Sequence, residues 1–417
     1  VKHCRILILI LAFGSTCHAQ SVPAAPTAPA HPLTLAEAIA RATANSPRIR
    51  QAQSSQARAA ASTRTARAYS NPTVEVYAGR QYARPIATPG VPGLLQHYGA
   101  LQPIEIPSER RARRDAALAG QRSAEAERNG VSLTVVADAK HAFYNALRRR
   151  EEINHAQENL QLVQDLRRRV EVEVNVGEKG RLELTRADAE LGRARFAVRS
   201  AQIEYSNAIA VLRASIAAAP DENLDPQGDL EPPAMLPVLT DARALVLQAH
   251  PAIAQSQAEI ERAKASLRDQ QALRIPQPTA FAEFENQPDL RYWRAGLNVQ
   301  LPLFDRRRGQ IDDARATIEG NTALLQQRRL ELISSLERAY EQYQVADQQV
   351  QSLQSGELHA AESAVEGAKA AYRFGERGIL EVLDAQRVLQ SVRADLLDAQ
   401  FARQGALVDL EELGVKP

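Results

Sequence analysis

The chain is short of the side chains that fill large globular interiors. Its 417 residues include one Trp, one Met and two Cys, and aromatic residues make up only 5%. That supply is too thin for two or three ordinary cores. Neither sign of charge is in excess: Lys plus Arg number 51 and Asp plus Glu 50. A broad basic surface for nucleic acid is therefore excluded as the leading idea, and no nucleic-acid partner is expected. Long apolar runs are also missing. The longest, Ile6 to Phe13, has eight residues, against roughly 20 for a membrane-spanning helix. What the chain does have is Ala, roughly one residue in six, with much Gln, Arg, Glu and Leu. These are strong helix formers, so long helices are the first expectation.

The opening VKHCRILILILAFGSTCHAQ places Lys2 and Arg5 ahead of the apolar run and ends in small residues. It reads as a signal peptide over residues 1–19, cut after Ala19. Cutting before Cys17 with lipidation is the alternative, although Gly14-Ser15-Thr16 lacks the usual upstream aliphatic residue. Both cysteines, Cys4 and Cys17, lie in this leader. Removal at Ala19 would leave no thiol for a disulfide, a metal or catalysis.

After a Pro- and Ala-rich segment, residues 20–32, the chain is written twice. LTLAEAIARATANSPRIRQAQ, from Leu33, aligns with VLTDARALVLQAHPAIAQSQ, from Val238, at an offset of 204, with Pro47 on Pro251 and Ile49 on Ile253. VGEKGRLELTRADA, from Val176, aligns with FGERGILEVLDAQR, from Phe374, at an offset of 198. The repeats span residues 33–219 and 238–417, and residues 220–237 are a Pro-rich linker. Each repeat reads as helix, two strands, a very long helix, a Gly-containing turn and another long helix. Ile311, Ile318, Leu325 and Leu332 are seven apart, as are Val382, Leu389, Leu396, Arg403 and Leu410. In the first repeat, Ile153, Leu160, Arg167 and Val174 keep the same step. Such a period keeps one seam against a partner helix. The stretch from Glu109 to about Val172 would run roughly 95 Å as a helix, a length suited to crossing a periplasm-sized gap.

The strands discriminate further. In YWRAGLNVQLPLF, from Tyr292, the residues Trp293, Ala295, Leu297, Val299, Leu301 and Leu303 alternate with mostly polar ones. At an offset of 195 the first repeat supplies Tyr98, Ala100, Ile104 and Ile106 to the same face, with Gln102 as an exception. Val74, Val76 and Ala78 in a second strand correspond to Pro278, Ala280 and Ala282. One apolar face with terminal aromatic residues, in a secreted chain, fits a transmembrane barrel. Four strands cannot close one alone, since the smallest single-chain barrels have eight, so oligomerisation is implied.

The duplicated LTLAEAIARATANSP opening, the strand exit LPLFDRRRG from Leu301 and the text YRFGERGILEVLDAQRVL from Tyr372 resemble the outer-membrane efflux proteins, the TolC-like outer-membrane factors. The resemblance covers nearly all of the mature chain. PIEIPSERRAR, from Pro103, together with the strand exit, is most similar to the heavy-metal cation efflux (CzcC-like) branch. The family usually has a Gly in that turn, where this chain has Pro107-Ser108-Glu109.

The resemblance implies a mainly α protein with a small β part. Long antiparallel coiled-coil helices would form an α-barrel tunnel, and four strands per chain would join a homotrimeric twelve-stranded barrel in outer-membrane lipid. It implies an exit duct for a tripartite pump, with a periplasmic adaptor (membrane fusion protein) and an inner-membrane RND-type transporter as partners. The tip turns, with Gly177, Glu178, Gly180, Gly375, Arg377 and Gly378, would meet the adaptor. Glu381 and Asp384, three apart and on one helix face, would ring the periplasmic constriction and favour cations. Arg377 and Glu183 would form an aperture latch. Tyr98, Ile104, Ile106, Trp293, Leu297, Val299 and Leu301 would face lipid.

Arg110, Arg111, Arg113, Arg114 and Arg306, Arg307, Arg308 follow the strands, where Arg suits phosphate contact. His31, His97, His141, His155, His250 and His359 lack the spacing of a metal site. No nucleophile motif or phosphate loop stands out, so neither a cofactor nor an enzyme is expected. Two other readings stay open: a duct for drugs or a secreted polypeptide, and a structural periplasmic coiled-coil protein.

Overall fold

The computed structural model describes residues 31–82, 92–230 and 234–416. The signal peptide, both cysteines and the lipidation alternative fall outside the described residues, as does the segment before residue 31. The first repeat runs β1 (His31–Leu33), α1 (Leu35–Asn45), α2 (Pro47–Arg67), β2 (Thr73–Gln81), β3 (Gly93–Pro103), α3 (Pro107–Asn175) and α4 (Arg181–Ser215). After β4 (Leu224–Pro226), the second runs α5 (Leu239–Ala249), α6 (Pro251–Ala272), β5 (Pro278–Asn286), β6 (Arg291–Val299), α7 (Arg308–Ser352), α8 (Leu358–Arg373) and α9 (Ile379–Glu412).

Each opening helix is broken in two, at Ser46-Pro47 and at His250-Pro251. A proline forces the preceding residue out of the α region but fits the first helical position. This is the physical content of the Pro47 and Pro251 match. Pro107 likewise opens α3, so the turn after β3 starts a helix directly. In the second repeat the strained turn residue is Arg307, at φ 54°, whose N–H is accepted by the Asp305 carboxylate at 2.8 Å.

Helix α3 has 69 residues and, at about 1.5 Å each, runs roughly 100 Å. Its counterpart is α7 and α8 joined by a π-helical turn, Leu353–Glu357. The first rod, α3, packs against α2, α4, α6 and α9, and α6 and α9 in turn pack against α7, so that they join the two rods. The apolar clusters are strung along these rods. One surrounds Phe143, Leu212 and Ile216, a second lies near the turns around Val170 and Val382, and a third holds Leu336 and Leu410. Ala occupies many of the closest contacts, such as Ala38, Ala139 and Ala146, each fully buried. Arg403, the exception in the α9 heptad, is buried and pairs with Asp347 of α7 at 3.0 Å. A charge at a seam position is tolerable when its partner comes with it.

The linker is pinned rather than loose. β4 pairs in parallel with β1, Leu33 opposite Pro226, and Glu222 meets Arg41 at 2.5 Å. No sequence signal marked this pairing, because three-residue strands carry no period.

α3 and α9 are joined by His141, whose Nε2 lies 2.9 Å from Asp409 Oδ1. The hydrogen bond to Asp409 raises the His141 pKa, with burial opposing and Glu412 and Asp138 adding attraction. A raised folded-state pKa stabilises fully below the unfolded value of about 6.5 and loses that contribution as pH rises through the folded pKa. Both side chains are over a third exposed, at 36% and 44%, so solvent screening limits the contribution to about 0–1 kcal/mol. His141→Gln should therefore lower the melting temperature more at mildly acidic pH than at alkaline pH, measured by thermal unfolding across that range. A pH-independent difference would contradict this account.

Candidate functional site

The four antiparallel strands lie in the order β2-β3-β5-β6. Register aligns Val76, Tyr98, Phe284 and Trp293 in one row across the sheet, and Val74, Ala100, Ala282 and Ala295 in the next row on that face. These side chains are exposed, Trp293 at 77%. The opposite face is polar. Glu75, Gly99, Glu283 and Arg294 form one row, and Tyr77, His97, Glu285 and Tyr292 the next. His97 stacks on Tyr77 with ring centroids 4.3 Å apart and sets Nδ1 3.2 Å from Glu285 Oε1. Arg294 pairs with Glu283, and Tyr292 donates to Glu285.

Of the residues expected to face lipid, Tyr98, Trp293, Leu297 and Val299 lie on the apolar face of β3 and β6. Ile104, Ile106 and Leu301 fall beyond the strand ends. The last β5–β6 pair is Pro278 with Val299, and proline has no N–H to continue the ladder. Ile104 still donates to the Pro278 carbonyl at 2.9 Å, whereas Ile106 precedes Pro107 as the N-cap residue of α3. Leu301, Leu303 and Phe304 remain exposed, Phe304 completely, so the apolar band continues past the ladder.

At the other end of the rods stand two matching turns. Gly177 has φ 85° and Gly375 φ 75°. The N–H of Glu178 reaches the Glu173 carbonyl and that of Gly177 the Val174 carbonyl; Glu376 to Ala371 and Gly375 to Tyr372 repeat the pattern. This is the Schellman helix end, which needs a left-handed residue. Gly180 and Gly378 instead have φ of −79° and −83° as the N-cap residues of α4 and α9.

The charged residues near the turns are placed differently from expectation. Within the chain Arg377 and Glu183 are not joined: Arg377 lies 3.9 Å from Glu381, and Glu183 pairs with Arg186 at 3.1 Å. Glu381 and Asp384 share the exposed face of α9, and Asp384 also meets Arg387 at 2.9 Å. The ties between the two hairpins are others. Tyr372 Oη donates to Glu173 Oε2 at 2.9 Å, Arg387 meets Glu190 at 3.1 Å, and Arg393 meets Glu158 at 2.9 Å. Burial, followed by the bond to Glu173, raises the Tyr372 pKa, so its hydroxyl stays a donor. Sequence reasoning missed Tyr372. Its only signal was an aromatic residue beside the glycine turn in an aromatic-poor chain. Among the described residues, no group of three or more His, Cys, Asp or Glu is placed to hold a metal ion, and no helix is long and apolar enough to cross a membrane.

The family model described as "Outer membrane efflux protein" matches residues 38–218 and again 243–414, one match per repeat. The chain belongs to the outer membrane efflux protein family. It is accordingly a channel component and not an enzyme. Among relatives of this efflux protein, the cobalt-zinc-cadmium resistance protein CzcC of Cupriavidus metallidurans is 26% identical over 295 residues, 70% of each chain. Protein CyaE of Bordetella pertussis is 29% identical over 349 residues, 78% of this chain and 73% of its own. The cation efflux system protein CusC of Escherichia coli is 25% identical, covering 67% and 63%. The fold matches the Campylobacter jejuni CmeC outer membrane channel with a TM-score of 0.80 at 16% identity, over 91% of this chain and 85% of that one. A CusC crystal structure matches at 0.79 and 19% identity, over 91% of both chains.

In this efflux protein the two turn glycines of each tip should respond unequally to substitution. A Cβ at Gly375 meets nothing within 4 Å, so the change is purely conformational; Gly375→Ala should destabilise the tip by about 1–2 kcal/mol. At Gly378 the backbone is already extended and only the Glu381 carboxylate is near, at 3.3 Å. Hydrogen exchange over residues 371–380 should quicken in Gly375→Ala and stay near wild type in Gly378→Ala. Equal quickening in both would contradict the assignment.

Proposed function

We propose that three copies of this chain form the outer-membrane exit duct of a tripartite pump that exports heavy-metal cations. The observation that carries the reading is the open four-stranded sheet, apolar on one face and polar on the other, set on rods roughly 100 Å long. Sheet edges cannot stay unpaired in hydrocarbon, so β6 of one copy would pair with β2 of the next. Three copies of four strands give a twelve-stranded barrel, an even number within the known range. The helices support the same assembly. On α4, Leu182, Ala189, Phe196, Ile203 and Ala210 are all exposed and spaced by seven. A second heptad seam on a helix whose first seam is buried calls for another helix.

At the far end Gly177, Glu178, Gly180, Gly375, Arg377 and Gly378 would offer a compact surface to the hairpin of a periplasmic adaptor, coupled to an inner-membrane RND-type transporter. A latch between Arg377 and Glu183 would have to form between protomers, since neither reaches the other within one chain. Within the chain Tyr372 and Glu173 supply the closing tie. Glu381 and Asp384 from three copies would line the narrowest point and favour cations over anions. The resistance and cation-efflux names of CzcC and CusC support metal ions as cargo.

Replacing Glu381→Gln with Asp384→Asn should lower cation-over-anion selectivity, read as a shift of reversal potential toward zero under a salt gradient in planar bilayers. An unchanged reversal potential would remove these carboxylates from the constriction. For the cargo, a strain lacking this chain should become sensitive to cobalt, zinc or cadmium salts, and re-expression should restore tolerance. Unaltered metal tolerance combined with new drug sensitivity would overturn the metal reading and leave the duct intact.

A further inference from the structure

We propose that Arg67, Arg110, Arg111 and Arg114 form an outward-facing cleft that binds the phosphate of an anionic lipid headgroup in the periplasmic leaflet of the outer membrane. The cleft has a volume of about 580 Å³ and is lined by these four arginines and Pro107. It sits where the C-terminus of α2 meets the N-terminus of α3, directly below the apolar band of the strands. Arg110 is held in place: its guanidinium lies 3.7 Å from the centre of the Tyr69 ring and donates to the Arg67 carbonyl at 2.8 Å. The side chains of Arg67, Arg111 and Arg114 have no hydrogen-bond or ion-pair partner among the described residues. The nearby acids are engaged elsewhere. Glu105 binds Arg113 at 2.9 Å, Asp115 faces Arg268 at 3.7 Å, and Glu109 accepts from Gln277 at 2.6 Å. Four like charges converge on one cleft with no counter-charge among the described residues, and guanidinium matches phosphate through paired N–H groups.

Beyond the ladder, Glu105 binds Arg113, and Arg113 also donates to the Ala66 and Ala68 carbonyls, so that flank of α3 packs against the end of α2. Arg111 is two residues earlier, about 200° around the helix, and Arg114 shares the face of Arg111 at a spacing of three. Both are exposed and turned away from the Arg113 contact, and the proposal takes that side of the wall as the one toward lipid. The proposal rests on the reading that the strands enter the outer membrane, and it adds a ligand class and the residues that hold it.

The test uses the full-length detergent-solubilised protein and native mass spectrometry. Recovery of every variant as a heat-modifiable trimer from the outer-membrane fraction is checked first; failure of the wild type there would sink the duct reading rather than the cleft. Phosphatidylglycerol should bind the wild type, and Arg111→Gln with Arg114→Gln should weaken it by at least about tenfold. The Lys pair at the same positions should weaken it less. Diacylglycerol, which shares the tails and lacks the phosphate, should bind all variants alike, and excess inorganic phosphate should leave the lipid in place. Undiminished lipid binding in the Gln pair overturns the proposal, as does displacement by inorganic phosphate at matched concentration. A weaker trimer with lipid binding unaltered would mean that a second copy covers the cleft, which also overturns it.

Discussion

The constraint on which this structure depends is the need to satisfy backbone hydrogen bonds in lipid. The sheet β2-β3-β5-β6 ends in two edges, each a row of unpaired N–H and C=O groups. In water such edges invite aggregation; in hydrocarbon each unpaired group costs several kcal/mol. Closure with further copies would remove both edges at once. It would also carry the helical rods into a ring, because each hairpin of strands leads into α3 or α7. The exposed heptad of α4 would then acquire a partner by the same symmetry operation. A single requirement at the membrane thus organises the part of the molecule that lies outside it.

The sparse supply of aromatic residues follows from that architecture. A tunnel wall one helix thick has no deep interior, so large side chains have little to fill. Ala, Leu and Val pack most of the helix seams, with Phe143, Tyr144 and Tyr343 among them; other aromatics lie at Tyr98, Phe284 and Trp293 across the sheet, at Tyr69 under Arg110, and at Tyr372 between the hairpins at the tip. Near-zero net charge has a similar explanation. Charges are used pairwise along the rods, as in Arg403 with Asp347, whereas Arg111 and Arg114 at the start of α3 have no partner among the described residues.

Much of this was legible in the residues. The duplication set the element order, and the sevenfold spacing of Val382, Leu389 and Leu410 marked a seam now seen buried; the single opening helix read in each repeat is two, broken before Pro47 and Pro251. Alternation placed Tyr98 and Trp293 on one face and on one cross-strand row. It did not mark where the strands end, because alternation continues in text through Ile106 and Leu301 after the ladder has stopped at a proline. The β1–β4 pairing was invisible because it is too short to have a period. The tip was half legible. Glycine spacing gave the turns, but Arg377 and Glu183 turned to neighbours one helical turn away, as i,i+3 and i,i+4 geometry favours. The bond actually made between hairpins, Tyr372 to Glu173, joins residues 199 apart and has no local signature.

The central claim, that the open sheet is one third of a closed barrel, is tested most directly by cross-linking its two edges. With Cys4 and Cys17 changed to Ser, cysteine pairs are scanned along β2 (Thr73–Gln81) and β6 (Arg291–Val299) and oxidised in isolated outer membranes. The account predicts a covalent ladder that rises to three copies and stops, at a register where neighbouring β6 and β2 residues face one another. A ladder absent at every register, or one that continues past three copies, would contradict it.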